Sequence, residues 1–543
     1  MEKRKQSIIA GGLISSAGIF ISKFIGIIYV IPLQNILGPE NMVYYGMSFN
    51  IYSYILNVAT AGIPFAVATM VARYMAHGDY KTSLLVKKLS LSLMAIFGLL
   101  SMLILMISSG VFANIMASDL GEQGIENMRN VLIVISIALF FVPILSALRG
   151  FYQGLKEMEL YAKSQVLEQL TRVGFLLVSG ALIVYVFNWD RIWATYFAVF
   201  SASIAAIFAF IHLLLYDRKQ MPELKKAAQA QEIEGNTDRK LLINELLFIA
   251  LPYLFVAILG YSDMIISTLF VNKGLIAHGN SAKEVLQIVS VVFTPVQKIM
   301  SIPMVLAPGF SIAIIPYITS ALAKKDFKNV RKNITECIDS VLFIGIPISF
   351  CLFIFAKPIM AFIAGEANLD LNQEILSWFA IEAFISTISP VLSSLMMVCR
   401  MQKINIRNLI IYVILKIITT YPFLVSFGYS GMVLSTMLSL GVCICLDLYA
   451  LSKVYLINWS ITFHRIIFMI LSLSGIVIVG YGCNLIGLKG YGQGMLINTI
   501  QLGISGGLAV CAYLAIAYAF QLPQAIFHID IKNFLKRGKK DAS

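Results

Sequence analysis

A charged side chain inside hydrocarbon costs about 2.5–3.5 kcal/mol even on the most lenient insertion scales, so it needs a partner, a watery cavity or a job. This sequence places such residues inside long apolar stretches: the bases Lys23, Arg172, Lys298 and Lys416 and the acids Glu168 and Asp263, with Arg149 at the end of one stretch. Lys23 follows Ser22 and has no acid one turn away, so it faces a cavity or answers a distant carboxylate. Glu168 and Arg172 are spaced i, i+4 and can pair along one helix face, which makes structural pairing the better single reading. Asp263 has no local base; it answers Lys23, takes part in cation coupling, or is structural. Lys298 stands among Pro295, Pro303 and Pro308, which break helix hydrogen bonds, and a lysine in a broken helix at mid-membrane suits an anion. Arg149, Arg400 and Arg407 read more readily as interfacial anchors, while Glu382 and Asp447 are further acids with no assigned task.

The interior therefore leans basic. Such a cavity suits a phosphate-bearing substrate held by charge-assisted hydrogen bonds. A proton-coupled or drug-cation exporter would lean acidic. No catalytic group is expected, because the loops are mostly short and none carries a conspicuous acidic centre of the kind a membrane glycosyltransferase would need. The seven cysteines have no zinc or redox spacing, and Cys443 and Cys445 form a lone C-x-C inside an apolar segment, so no metal or cofactor is expected. An ion gradient or the membrane potential is left as the driving force.

The elements that must hold these residues are helices. Hydrophobic residues make up 59% of the chain and charged ones 13%, where a soluble protein carries about a quarter. Apolar runs of around twenty residues match the length of a helix crossing about 30 Å of hydrocarbon. Alternation of the transmembrane-barrel kind is absent. Fourteen spans are read at 10–33, 43–68, 87–110, 130–149, 164–187, 192–215, 246–271, 285–308, 336–356, 376–398, 406–426, 430–452, 464–486 and 497–520. The first run is too long for a signal-peptide core and reads as the first helix.

The net charge of +13 has no basic face with interleaved aromatics outside the membrane, so nucleic acid is not an expected partner. It follows topology instead. With the N-terminus in the cytoplasm, 31 of the 41 Lys and Arg fall in cytoplasmic tails and loops, 6 on the outer side and 4 inside spans. That is the positive-inside pattern of a plasma-membrane protein with both termini cytoplasmic.

An internal repeat appears at an offset of 247 residues: Gly62 onto Gly309, Ala66 onto Ala313, Asp79-Tyr80-Lys81 onto Asp326-Phe327-Lys328, Ala113–Ala117 onto Met360–Ala364, Pro143 onto Pro390, Ser146 onto Ser393 and Lys156 onto Lys403. Six spans separate the copies, so they share one orientation, as in parallel-repeat transporters. The expected organisation is an N-terminal lobe (1–216), a solvated linker (217–244), a C-terminal lobe (245–456), a final helix pair (457–522) and a basic tail (523–543).

Several short stretches resemble the polysaccharide-transporter branch of the multidrug/oligosaccharidyl-lipid/polysaccharide exporter superfamily, and within it the lipid II flippases. They are Ile21-Ser22-Lys23 with Gly26 and Tyr29–Pro32; Gly62-Ile63-Pro64 with Ala66-Val67; Gly78-Asp79-Tyr80; Arg149-Gly150 with Gln153-Gly154; Ser164–Val166 with Glu168, Gln169 and Arg172; and Val296-Gln297-Lys298 with Ile302-Pro303. The resemblance implies an all-α integral membrane fold of two six-helix lobes in a V around a cationic cavity, with helices thirteen and fourteen forming a groove for a lipid tail. It implies an alternating-access flippase, monomeric and embedded among membrane lipids, whose substrate is undecaprenyl-diphosphate-linked peptidoglycan precursor. By the same resemblance, Lys23, Arg149, Arg172, Lys298 and Lys416 are the diphosphate contacts. A flippase for another lipid-linked glycan, or a multidrug exporter of the same superfamily, is the alternative. This chain departs from its relatives in having Ala68-Thr69 where they often have Ser-Lys, and in carrying its seventh-helix acid at Asp263, one turn before the usual place near Ser267.

Overall fold

The computed structural model describes residue 22 and residues 25–312 and 315–527. Lys23 lies outside the described residues. All secondary structure among them is helical, as it must be where no water can satisfy an open backbone. The first helices are α1 (Val30–Ala59), α2 (Ile63–Ala76), α3 (Tyr80–Ala117), α4 (Gly121–Ser136), α5 (Ala138–Gly154), α6 (Met158–Ala181) and α7 (Arg191–Ala230). Then come α8 (Arg239–Gly260), α9 (Ser262–His278), α10 (Ala282–Val291), α11 (Gln297–Ile312), α12 (Ile315–Ala323), α13 (Phe327–Ile354) and α14 (Ala356–Ala364). The chain continues through α15 (Leu369–Val398), α16 (Gln402–Phe427), α17 (Tyr429–Tyr455), α18 (Ser460–Ser472), α19 (Ser474–Leu485), α20 (Met495–Ala519) and α21 (Leu522–Phe527).

Twelve stretches among the described residues are long and apolar enough to cross a membrane. Two of them, Ile25–Ala76 with 52 residues and Tyr80–Gly154 with 75, each overlap two of the expected spans. The fourteen expected crossings are thereby accommodated. Breaks fall where backbone chemistry requires them. Gly38 interrupts α1 with φ 75° just before Pro39. Gly62, with φ 71°, separates α1 from α2, and Pro64 follows at the start of α2, where a missing N–H costs nothing. The second span, expected as one helix over 43–68, is therefore two helices meeting at that break.

Two compact units emerge among the described residues. One holds residues up to Thr294 together with Ile417–Met432; the other holds Pro295–Lys416 with residues from Val433 onward. The first packs around Met70, Val86, Leu148, Phe151, Leu213 and Leu246. The second packs around Val330, Ile334, Leu392, Leu395, Met469 and Tyr513.

The repeat is visible in the backbone. Asp79 caps α3 at φ −86°, ψ 78°, and Asp326 caps α13 at φ −85°, ψ 79°. Each carboxylate accepts from the backbone N–H three residues on, Thr82 at 3.0 Å and Asn329 at 3.1 Å. The register does not hold throughout. The left-handed residues that follow α5 and α15 are Lys156 and Arg400, which are 244 apart, so the pairing of Lys156 with Lys403 is displaced by about one turn. Gly62 breaks a helix, whereas Gly309 lies inside α11.

The stretch expected as a solvated linker is in large part helix. α7 runs on to Ala230 and buries Leu224 and Ala228, and only 231–238 is non-helical. That segment is pinned to the start of α3: the Lys81 N–H donates to Gln231 Oε1 at 2.9 Å, and the Asn236 N–H donates to Thr82 Oγ1 at 2.8 Å.

Candidate functional site

The densest buried charge group in the first unit lies between α5 and α6. α5 can approach α2 closely because two of its residues lack a side chain: a Cβ at Gly150 would sit 2.6 Å from Pro64 O, and one at Gly154 would sit 2.8 Å from Ala68 O. Arg149 is carried beside that contact and is buried. On α6, Ser164, Glu168 and Arg172 follow at steps of four and share one face.

Arg149 is held at every nitrogen. Its Nε and Nη2 donate to Ser164 Oγ at 3.0 and 2.9 Å, and its Nη1 donates to Glu168 Oε2 at 2.7 Å. Arg172 is held more loosely, with Nη2 3.6 Å from Glu168 Oε1. Its guanidinium lies 5.8 Å from the centroid of the Phe49 ring and within electrostatic reach of Tyr52, Tyr45 and Tyr29. The Tyr29 and Tyr45 hydroxyls bond each other at 3.0 Å. Arg172 Nε is buried and makes no hydrogen bond among the described residues. Two guanidiniums share one carboxylate, so the group carries a net positive charge and one unspent donor. Such a group has the charge and the donors that suit an anion, and of its two guanidiniums Arg149 is the more tightly held.

Asp263 lies elsewhere in the same unit. It sits in the first turn of α9, where a carboxylate favours the helix dipole, and it accepts from Ser267 at 3.4 Å. In the second unit, Lys298 is half-buried at the start of α11, directly after a π-turn at Val292–Val296 that contains Pro295. Lys416 is fully buried on α16 and donates to Thr436 Oγ1 of α17 at 2.5 Å. The structure thus brings Arg149, Glu168 and Arg172 together and places Asp263 apart from them. No three His, Cys, Asp or Glu among the described residues are grouped to hold a metal.

Several polar groups escaped sequence reasoning. Asn50 Nδ2 donates to Thr268 Oγ1 at 3.3 Å and Asn272 Nδ2 to Met116 O at 2.5 Å, joining α1 and α3 to α9. Gly46 of α1 lies so close to α10 and its π-turn that a Cβ would meet Thr294 Oγ1 at 2.8 Å. Lys87 and Tyr152 both donate to Asp217, Tyr152 at 2.7 Å. Asp339 and Arg465 pair within the second unit. Asn and Thr give no signal inside an apolar run, and these pairs are far apart in sequence.

Residues 8–320 match the profile of a family described as polysaccharide biosynthesis protein, and residues 252–422 match the MatE profile. The chain is 28% identical over 540 residues to the lipid II flippase MurJ of Bacillus subtilis (strain 168), covering 98% of this chain and 99% of the relative. It is 20% identical over 476 residues to stage V sporulation protein B of the same organism, covering 87% of this chain and 89% of the relative. Among solved structures, lipid II flippase MurJ in an inward closed conformation superposes with a TM-score of 0.67 at 13% identity, over 94% of this chain and 98% of that one. An inward-facing multidrug resistance transporter of the MATE family superposes with a TM-score of 0.60 at 16% identity, over 83% of this chain and 97% of that one.

Proposed function

Since the chain belongs to the polysaccharide biosynthesis protein family, we propose that it is a transporter, not an enzyme, and that it flips lipid II from the inner to the outer leaflet of the bacterial plasma membrane by alternating access. The observation that carries this reading is the buried Arg149–Glu168–Arg172 group, which is net positive with an unspent guanidinium donor. A diphosphate supplies the missing negative charge and acceptor oxygens. A planar guanidinium suits it better than an ammonium because it can donate two parallel bonds. Arg149, already committed to Ser164 and Glu168, orients the carboxylate. Arg172 swings from Glu168 to the phosphate. Lys23, Lys298 and Lys416 complete the proposed set of cationic contacts.

The contacts that join α1 and α3 to α9 support the alternating step. Met116 and Asn272 lie toward the ends of α3 and α9 that the charge bias places outside, while Asn50 and Gly46 lie within α1. These contacts must part before cargo can leave outward. A single chain with both termini in the cytoplasm suffices for this cycle, driven by an ion gradient or the membrane potential.

Depleting the protein in a strain without a redundant flippase tests the proposal. Lipid II is expected to accumulate on the inner leaflet; unchanged outward flux overturns the reading. A second reading, a flippase for another lipid-linked glycan such as a capsular, teichoic or spore-cortex unit, is favoured by the likeness to stage V sporulation protein B over 87% of the chain. The two are told apart by which lipid-linked glycan accumulates.

A further inference from the structure

The last two crossings of the chain are fastened to one helix of the second unit, α13, by a buried ion pair. Asp339 of α13 has no exposed side-chain surface, and Arg465 of α18 pairs with its Oδ2. Arg465 Nη2 also donates to Ala525 O of α21 at 3.1 Å, so one side chain ties three helices. The second carboxylate oxygen, Oδ1, has no hydrogen-bond partner among the described residues, nor has the neighbouring Thr462 hydroxyl. Without Arg465, Asp339 is a buried carboxylate with nothing to neutralise it, which is the costly case.

The rest of the seam follows α13 as well. Tyr513 of α20 donates to Phe343 O at 3.2 Å. Gly480 of α19 lies so close to Ile354 that a Cβ there would be 2.8 Å from Ile354 Cγ2. At the far end of the hairpin, Glu366 accepts from the Gly492 N–H at 2.6 Å and from Asn498 Nδ2 at 3.3 Å.

We infer that Asp339 and Arg465 are positioning residues for transport: their pairing fixes the register of the α18–α20 hairpin on α13, so that the hairpin and its unit move as one body through the cycle. Neither residue contacts cargo. The inference goes beyond the proposed cargo and holds for any substrate moved by this fold.

The test uses the full chain in membranes, with its seven cysteines replaced and Gly480→Cys plus Ile354→Cys introduced. In an otherwise unchanged chain the disulfide is expected to form in high yield on oxidation and to leave transport intact. In Asp339→Asn or Arg465→Gln the yield is expected to fall severalfold and transport roughly tenfold. The exchanged pair Asp339→Arg with Arg465→Asp is expected to restore both. The minority of Arg465→Gln that does cross-link is expected to recover transport without restoring the charge, so activity should rise in proportion to the cross-linked fraction. A disulfide that stops transport in the unchanged chain, reversibly with reductant, overturns the inference, because the hairpin then has to slide on α13. Full yield in the single variants overturns it too. If a variant fails to reach the membrane, the unchanged chain and the exchanged pair still decide. Disulfide yield does not depend on the cargo, so failure of this inference and failure of the lipid II reading give different results.

Discussion

Two buried charge groups in this molecule are built to opposite rules. In the first unit, Arg149 and Arg172 share Glu168, leaving an excess cation and a buried N–H with no acceptor among the described residues. In the second, Asp339 and Arg465 meet one to one. A balanced pair in hydrocarbon has paid its desolvation cost only to join helices. An unbalanced group keeps a surplus charge that an anion can satisfy, which is the property the proposed function rests on. Charge count, more than depth, separates a fastener from a binding group.

The largest effect expected from this contrast is in Arg172→Gln. Transport should fall about a hundredfold or more, since a phosphate loses a charge-assisted bidentate contact, while the melting temperature in detergent barely moves. If melting drops as much as for Arg465→Gln, the two groups are alike and the comparison fails. Glu168→Gln comes next. It leaves two guanidiniums without a counter-charge and should destabilise by about 3–5 kcal/mol, the usual result of removing one partner from a buried ion group; added anionic substrate should recover part of the loss in a thermal-shift assay. No recovery would show that the site does not take an anion. Arg172→Lys should keep the charge but lose the planar fork, reducing transport by roughly tenfold, measurable as outward flux in vesicles.

The smallest effect concerns charges outside the membrane, at the paired caps. Burial pushes the Asp79 carboxyl up, but hydrogen bonds from Thr82 and Gln231 bring it below the usual range. The Asn329 backbone N–H and side chain lower Asp326. A carboxyl lowered on folding stabilises above its unfolded value of about 3.9, and that stability is lost as pH falls through the folded value. Melting followed from pH 5 to pH 3 should therefore decline less steeply in Asp79→Asn and Asp326→Asn than in the parent. Equal slopes would mean the caps carry no such linkage.

Much of this was legible in the sequence. Apolar length and the bias of Lys and Arg report directly on the bilayer, so the spans could be read from them, while the family resemblance rested on short motifs such as Gly62-Ile63-Pro64 and Val296-Gln297-Lys298. Asp79 and Asp326 were paired by offset alone, and the structure gives them almost identical backbone angles. The Glu168–Arg172 pair was visible because i, i+4 spacing is a local rule. The closer partner of Glu168 was not visible: Arg149 lies nineteen residues away across a turn and read more readily as an interfacial anchor. Asp339 and Arg465 are 126 residues apart, and no periodicity links them. The helix through 217–230 was hidden by its polar composition; packing of Leu224 and Ala228, not intrinsic apolarity, keeps it helical.

That helix has a practical consequence for imaging. The apolar run of α7 ends at Tyr216, but the helix continues to Ala230. At 1.5 Å per residue the extension adds about 21 Å of helix. A small all-helical protein inside a detergent belt offers projections with few distinguishing marks, and duplicated halves make rotational alignment ambiguous. An α7 lengthened in frame into a rigid fusion partner would stand clear of the belt on one half alone, giving particles a handle by which each orientation can be assigned.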